Sequence, residues 1–227
     1  MQKAVIIFGP PGAGKGTQAE MFADAFGFLH LETSRIIEEA LATHDSTEYI
    51  IAGKSYTYGQ EKENFDKGIL VEPEVVVHWM VEAIRSHARA GKSIVFSGSP
   101  RTLFEAEHLY PVLHECFGGN GFFCFHLTVP PDLSVSRNMR RRICVACRLP
   151  HEPNKTVLEC TRCRGSLVTR GELDSHTSLR KRLEEFEKRT LPGIYHFEDQ
   201  GRAVSRLDGS RPPDDVFRHL CALLGLV

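Results

Sequence analysis

Apolar residues come in short blocks along this chain, and the first is "AVIIF" at 4–8, followed at once by the glycine-rich "GPPGAGKGTQ" at 9–18. A continuous apolar run of that length predicts a strand covered on both faces, as in a parallel sheet. After the glycines, Ala19, Phe22, Ala25 and Phe26 recur at helical spacing, so Gly14 to Phe26 reads as loop and then helix. "SIVFSGS" at 93–99, "GFFCFHLTV" at 121–129 and "AVSRLD" at 203–208 read as further buried strands, with helical stretches between them. The alternation predicts an α/β fold built on a doubly wound parallel sheet. Two segments break the pattern. Residues 33–71 hold weak helical pieces and polar spacers, which predicts a small helical insertion. Residues 143–173 are rich in Cys, Arg and Pro and poor in apolar side chains, so they form a second small unit. The core is then 1–32, 72–142 and 174–227, with no internal repeat or low-complexity tract.

The glycine loop lies between a predicted strand and a predicted helix, where it can carry phosphate chemistry. The general phosphate-loop pattern is G-x-x-x-x-G-K-[ST], with the hydroxyl directly after the lysine. Here Gly16 follows Lys15 and the hydroxyl, Thr17, comes one position later. Backbone N–H groups through Gly12, Ala13, Gly14, Lys15 and Gly16 can wrap phosphates, the helix N-terminus adds positive partial charge, and Lys15 adds a mobile cation. A tight strand–helix turn with glycines for steric reasons is the plainer alternative.

Composition narrows the partners. The 227 residues are 41 % hydrophobic and carry a formal net charge of −1, so no bulk field favours nucleic acid or a membrane surface. No apolar run approaches the ~18 residues a membrane span needs, and the N-terminus has no signal-peptide pattern, so a cytoplasmic chain is expected. Seven cysteines are present, and four fall in "CVACRLPHEPNKTVLECTRC" at 144–163, spaced C-x2-C-x12-C-x2-C. Cys144, Cys147, Cys160 and Cys163 can close a tetrahedral Zn²⁺ site, or hold iron, with all four positions filled by protein; the metal is then structural. Disulfides or chance are the alternatives, and a zinc ribbon that binds nucleic acid is a rival reading of this segment alone. Cys116, Cys124 and Cys221 fit buried small hydrophobes. Four histidines (His78, His87, His108 and His114) follow helix periodicity and fit packing or surface positions.

The motifs together resemble the adenylate kinase / nucleoside monophosphate kinase family, in the type with a zinc-containing lid. "GPPGAGKGTQ" is similar to that family's loop, in which Gly-Lys-Gly-Thr is the normal form and the threonine serves Mg-nucleotide. "LETSRIIEE" (31–39) and "GILVEPEVV" (68–76) resemble the two ends of its monophosphate-binding insertion. "SGSPRT" (97–102) resembles Asp-Gly-Phe-Pro-Arg-Thr, and "VPPDLSVSRNMRRR" (129–142) and "TRGELDSHTSLRKRL" (169–183) resemble the two limbs of the lid. "RLDGSRP" (206–212) matches the adenine-side loop. The resemblance implies a monomer acting on small-molecule nucleotides, with Mg²⁺ carried by ATP and Zn²⁺ in the lid. It implies that Gly12 to Thr17, Arg137, Arg141 and His151 bind ATP. The monophosphate would meet Thr33, Arg35, Leu70, Val71, Gly98, Arg101, Glu105, Arg170 and Arg182. Lys15, Arg101, Arg137, Arg170 and Arg182 would stabilise the transferring phosphoryl group. Arg140, Arg148, Arg162 and Arg164 fit a solvated surface instead.

Three departures fall on the monophosphate side. The family's Thr-Gly-Asp-x-x-Arg is here Thr33-Ser34-Arg35-Ile36-Ile37-Glu38, so Arg35 either supplies the lost charge, oriented by Glu38, or marks a site that no longer binds a monophosphate. Ser97 replaces an aspartate that holds water on Mg²⁺ in the family. Glu105 replaces a glutamine that reads adenine. A carboxylate only accepts, which suits guanine's adjacent donors better, unless Glu105 is a surface residue with no reading role. The expected reaction is phosphoryl transfer from ATP to a nucleoside monophosphate, AMP by default. GMP or another acceptor, or a nucleotide-binding protein with impaired catalysis, are the alternatives.

Overall fold

The computed structural model describes residues 2–43, 48–51, 53–66, 71–147, 149–151, 158–169 and 171–226. From the N-terminus the elements are β1 (Ala4–Phe8), α1 (Lys15–Phe26), β2 (Leu29–Glu32) and α2 (Thr33–Thr43). A hairpin of β3 (Glu48–Ile51) and β4 (Lys54–Thr57) leads to α3 (Tyr58–Asp66), α4 (Pro73–Arg89), β5 (Ile94–Ser97), α5 (Leu103–Phe117), β6 (Phe122–Thr128) and α6 (Pro131–Arg140). The cysteine-rich unit contributes β7 (Arg142–Cys144), β8 (Pro150–His151) and β9 (Leu167–Val168). After a 3-10 turn at Gly171–Asp174 come α7 (His176–Glu185), a π-helical turn, α8 (Leu191–Asp199), β10 (Val204–Asp208) and α9 (Pro213–Leu224).

The core sheet is parallel throughout, in the order β10-β6-β1-β5-β2. All five residues of β1 are buried, as expected for a strand with helices on both faces. Side chains alternate across the sheet, which sorts β1 between two cores. Ala4, Ile6 and Phe8 pack with Met80, Leu109 and Phe197 of α4, α5 and α8; Val5 and Ile7 pack with Phe22 and Leu220 of α1 and α9. Each of these side chains larger than alanine stabilises the fold by about 1.5–3 kcal/mol on burial. The doubly wound reading therefore holds. Because β5 and β6 lie on opposite sides of β1, the chain reverses its winding there and opens a crevice at the C-terminal strand ends, the usual ligand position of such sheets.

Two features depart from the expectation. β2 is an extra edge strand whose His30 and Glu32 interrupt the apolar pattern. The insertion, read as helical pieces and polar spacers, also holds the β3–β4 hairpin, with Gly53 at φ 79 in its tight connection. The expected burial of the lone cysteines is met by Cys124 and Cys221, while Cys116 is half-buried.

Candidate active site

The phosphate loop leaves β1 at Gly9 and enters α1 at Lys15. Gly9, Gly12 and Gly14 have φ of 148, 75 and 92, a region that costs other residues strain. Space is short as well. A Cβ on Gly12 would lie 2.5 Å from Asn138 Nδ2, and one on Gly9 would lie 2.6 Å from the Leu127 carbonyl. Gly14 caps α1 without any side-chain acceptor, and the first turn of the helix has no acid, so its N–H groups are free to meet an anion. The Lys15 ammonium donates to the carbonyls of Gly9 (2.7 Å) and Pro10 (2.8 Å), folding back over the loop. Burial, and then the nearby guanidiniums of Arg101, Arg182 and Arg141, push its pKa down to about 7. Lys15 therefore shares its surroundings with three guanidiniums.

The arginines reach this place from separate elements. Arg137, in the last turn of α6, donates to the carbonyls of Gly12 (3.4 Å), Gly209 (2.6 Å) and Ser210 (3.0 Å), tying the phosphate loop to the loop after β10. Arg141 follows α6 and makes a two-point bond to Asp174, with both N–O distances 3.0 Å. Arg182 of α7 bonds the same carboxylate at 3.4 Å. Asp174 is only 7 % exposed and was missing from the sequence reading. Arg101 donates through Nε to the Gly98 carbonyl. Gly98 has φ 108, and a Cβ there would come within 3.0 Å of Arg101 Nη2.

Glu105 does not present a free carboxylate. Its Oε2 accepts from the Ser99 hydroxyl (2.7 Å) and the Arg101 N–H (2.9 Å), and its Oε1 accepts from the Thr102 hydroxyl at 3.3 Å. Thr102 in turn accepts from the Glu105 N–H as the N-cap of α5, while the Glu105 carboxylate reaches the N–H of Arg101, one residue before the cap. Thr33 is buried with its hydroxyl unpaired among the described residues, and Val71 is buried in the core that packs β1 against α4. Arg35 is exposed on the first turn of α2, and Glu38 is half-buried one turn later. Leu70 and Arg170 lie outside the described residues, as does Arg148.

In the lid the four cysteine Sγ atoms lie within 4.8 Å of one another. The Sγ atoms of Cys144 and Cys163 lie 3.4 Å apart, and those of Cys147 and Cys160 3.5 Å. A tetrahedral metal with M–S of about 2.3 Å requires S–S near ~3.8 Å, so the donor set fits zinc. The knuckle backbone is shaped for it: a Cβ on Gly165 would lie 2.9 Å from Cys144 Sγ, and Arg164 adopts φ 58. His151, expected at ATP, has Nε2 3.4 Å from Cys160 Sγ and so packs against the cysteine cluster. Arg162 is exposed, as the solvated-surface reading expects, but it is not unpartnered. Its guanidinium bonds Glu20 and, at 2.7 Å, Asp24 on α1, holding the lid against the helix that carries Thr17. A cleft of about 370 Å³ between them is lined by Thr17, Glu20, Met21, Leu149, Pro150 and Arg162, among others.

Residues 7–202 match the model of the adenylate kinase family. The chain belongs to the adenylate kinase family. It is similar to the adenylate kinase of Clostridium kluyveri, with 30 % identity over 98 % of both chains. To that of Caldanaerobacter subterraneus subsp. tengcongensis the identity is 34 %, over 97 % of this chain and 96 % of the other. The adenylate kinase of Methanosarcina acetivorans is 32 % identical over 97 % of each. As a member of this family the chain is an ATP-dependent phosphotransferase. Among the described residues, no helix is long and apolar enough to cross a membrane.

Proposed function

We propose that this adenylate kinase family member transfers the γ-phosphoryl group of ATP reversibly to a nucleoside monophosphate, AMP by default, as a monomer. The observation that carries the proposal is the phosphate loop itself, with Lys15 folded over the Gly9 and Pro10 carbonyls and Arg137 tied to the same loop at Gly12, and with the guanidiniums of Arg101, Arg182 and Arg141 near enough to lower the lysine's pKa. Phosphoryl transfer asks little covalent work of the protein. Its barrier is charge, and fixed cations aimed at the transferring oxygens are the remedy. In this reading Lys15 and the loop amides through Thr17 hold the ATP phosphates, with Arg137 and Arg141 beside them. Thr33, Arg35, Gly98, Arg101 and Arg182 meet the monophosphate, together with Leu70, Val71 and Arg170. The 33–71 insertion and the 143–173 lid close over the nucleotides and exclude water.

Mg²⁺ enters with ATP, and the Thr17 hydroxyl would hold it; one protein ligand is enough when phosphates supply the others. When bound it would supply positive charge that offsets the phosphates. Zn²⁺ in the four cysteines would fold a lid too poor in apolar residues to fold alone. His151 would then support the metal site rather than ATP.

A coupled assay of ATP with AMP, GMP, CMP and UMP in turn tests the activity. Turnover with at least one acceptor, AMP foremost, is expected. ATP binding without turnover of any acceptor would leave a nucleotide-binding protein.

A further inference from the structure

Ser97, His30 and Glu20 form a hydrogen-bonded row that transfer between nucleotides does not use. Ser97 Oγ lies 2.5 Å from His30 Nε2, and His30 Nδ1 lies 2.6 Å from Glu20 Oε1. The three come from β5, β2 and α1, so the row is built by the fold and not by a local turn. Ser97 is 7 % exposed and the His30 side chain 8 %, which keeps bulk water from competing for these bonds. The other Glu20 oxygen takes the Arg162 guanidinium from the lid. His30, and then Arg162, keep that carboxylate ionised.

A hydroxyl bonded to an imidazole, itself oriented by a carboxylate, is the arrangement of an activated serine nucleophile. The row also ends where phosphate is expected. Ser97 is the last residue of β5 and pairs in register with Ile7, two residues before the glycine loop begins. A monophosphate acceptor is already an anion and needs no base; a serine hydroxyl needs one.

We propose that Ser97 is a second phosphoryl acceptor, and that the chain phosphorylates itself there from ATP when no monophosphate occupies the site. The proposal rests on the ATP-donor reading above. In the step, Ser97 Oγ attacks the γ-phosphorus as its proton passes to His30 Nε2. The Oγ–P bond forms, the bond from the γ-phosphorus to the β–γ bridging oxygen breaks, and ADP leaves. His30 is left as an imidazolium paired with Glu20, and it returns its proton to solvent after ADP departs. Glu20 acts through His30 and is a positioning residue.

The full chain is incubated with γ-labelled ATP and MgCl₂, with and without AMP, and the labelled residue is mapped by tandem mass spectrometry. The same preparation is assayed for transfer to AMP, GMP, CMP and UMP. Label on Ser97 is expected, suppressed by AMP and absent in Ser97→Ala. His30→Gln should slow labelling by about 10²-fold, the usual contribution of a general base. Glu20→Gln should slow it less and shift its pH profile. A preparation that turns over a monophosphate yet carries no label on Ser97, or carries it elsewhere, overturns the proposal and leaves the kinase reading standing. Label on Ser97 without monophosphate turnover supports the proposal and overturns that reading. Neither label nor turnover overturns both.

Discussion

Asp174 grips Arg141 at two points, Nε to Oδ2 and Nη2 to Oδ1, both at 3.0 Å. The carboxylate is buried and also receives Arg182 at 3.4 Å, so one anion fixes a cation from each limb of the lid. Fork-to-fork pairing sets the plane of a guanidinium as well as its position. Both arginines are thereby held by the fold itself, and prior fixing of this kind is how a site lowers reorganisation.

Asp174→Asn keeps the shape and removes the charge. The expected outcome is about a tenfold fall in kcat/KM for ATP, with a stability loss of about 1–3 kcal/mol from the weakened buried bonds. Steady-state kinetics and urea midpoints check the two effects separately. Lost stability with unchanged kinetics would make Asp174 a purely structural residue.

Glu105 spends its oxygens on Ser99, Arg101 and Thr102, which makes it a brace for the loop that presents Arg101. Glu105→Gln weakens that brace by turning one acceptor into a donor. The rate should fall by a similar factor, about three- to tenfold, with AMP, GMP, CMP and UMP, as loss of one hydrogen bond worth about 1 kcal/mol requires. A change confined to purines, with AMP gaining on GMP, would instead mean that the carboxylate reads the base.

Elements that announce themselves by local pattern were legible in the sequence. β1, β5, β6 and β10 are short apolar runs, and the phosphate loop and four cysteines are spaced motifs. β2 was not, because as an edge strand it carries His30 and Glu32 and never needed a continuous apolar run. The β3–β4 hairpin was hidden likewise: most of its described side chains are exposed, so no burial pattern marks it. At the site, the cations could be placed one by one from their motifs, but their partners could not. Asp174, Glu20 and His30 acquire meaning only through groups many residues away, and sequence spacing does not encode those contacts. Glu105 was hard to place for the opposite reason. Its partners are local, and the Thr-x-x-Glu spacing from Thr102 to Glu105 was there to be read as a helix N-terminus.

The cysteine cluster makes a stoichiometric prediction. Metal-replete protein should carry one zinc per chain, measured by elemental analysis, and Cys147→Ser should reduce it. Chelation should raise hydrogen exchange in 143–173 first, because little apolar packing holds that unit once the metal is gone, with core strands protected until global unfolding. Protein free of both zinc and iron, with the lid equally protected, would remove the metal from the account.

Lys15 carries the prediction with the clearest sign. Burial, followed by Arg101, Arg182 and Arg141, brings its pKa from 10.5 down to about 7 in the ligand-free fold. Unfolding returns it to the ordinary value, so between those pH values the unfolded chain binds more protons, and Lys15 makes stability rise with pH. Below pH about 7 both states are charged and the full penalty of burying the ammonium is present; above about 10.5 both are neutral and it is gone. Lys15→Met should therefore stabilise the free protein at pH 6, and its advantage over wild type should shrink steadily toward pH 10. Thermal melts across that range check this. ATP reverses the sign of the local field, since its phosphates favour the charged lysine. Binding at pH 8 should then take up part of a proton, visible in calorimetry as a dependence on buffer ionisation enthalpy, and Lys15→Met should abolish the uptake. The same variant should lose transfer by at least about 10²-fold, because a charge aimed at the moving phosphoryl group is gone. A variant that is more stable, inactive and blind to buffer identity fits one cause: the lysine is held at a cost that only the nucleotide phosphates offset.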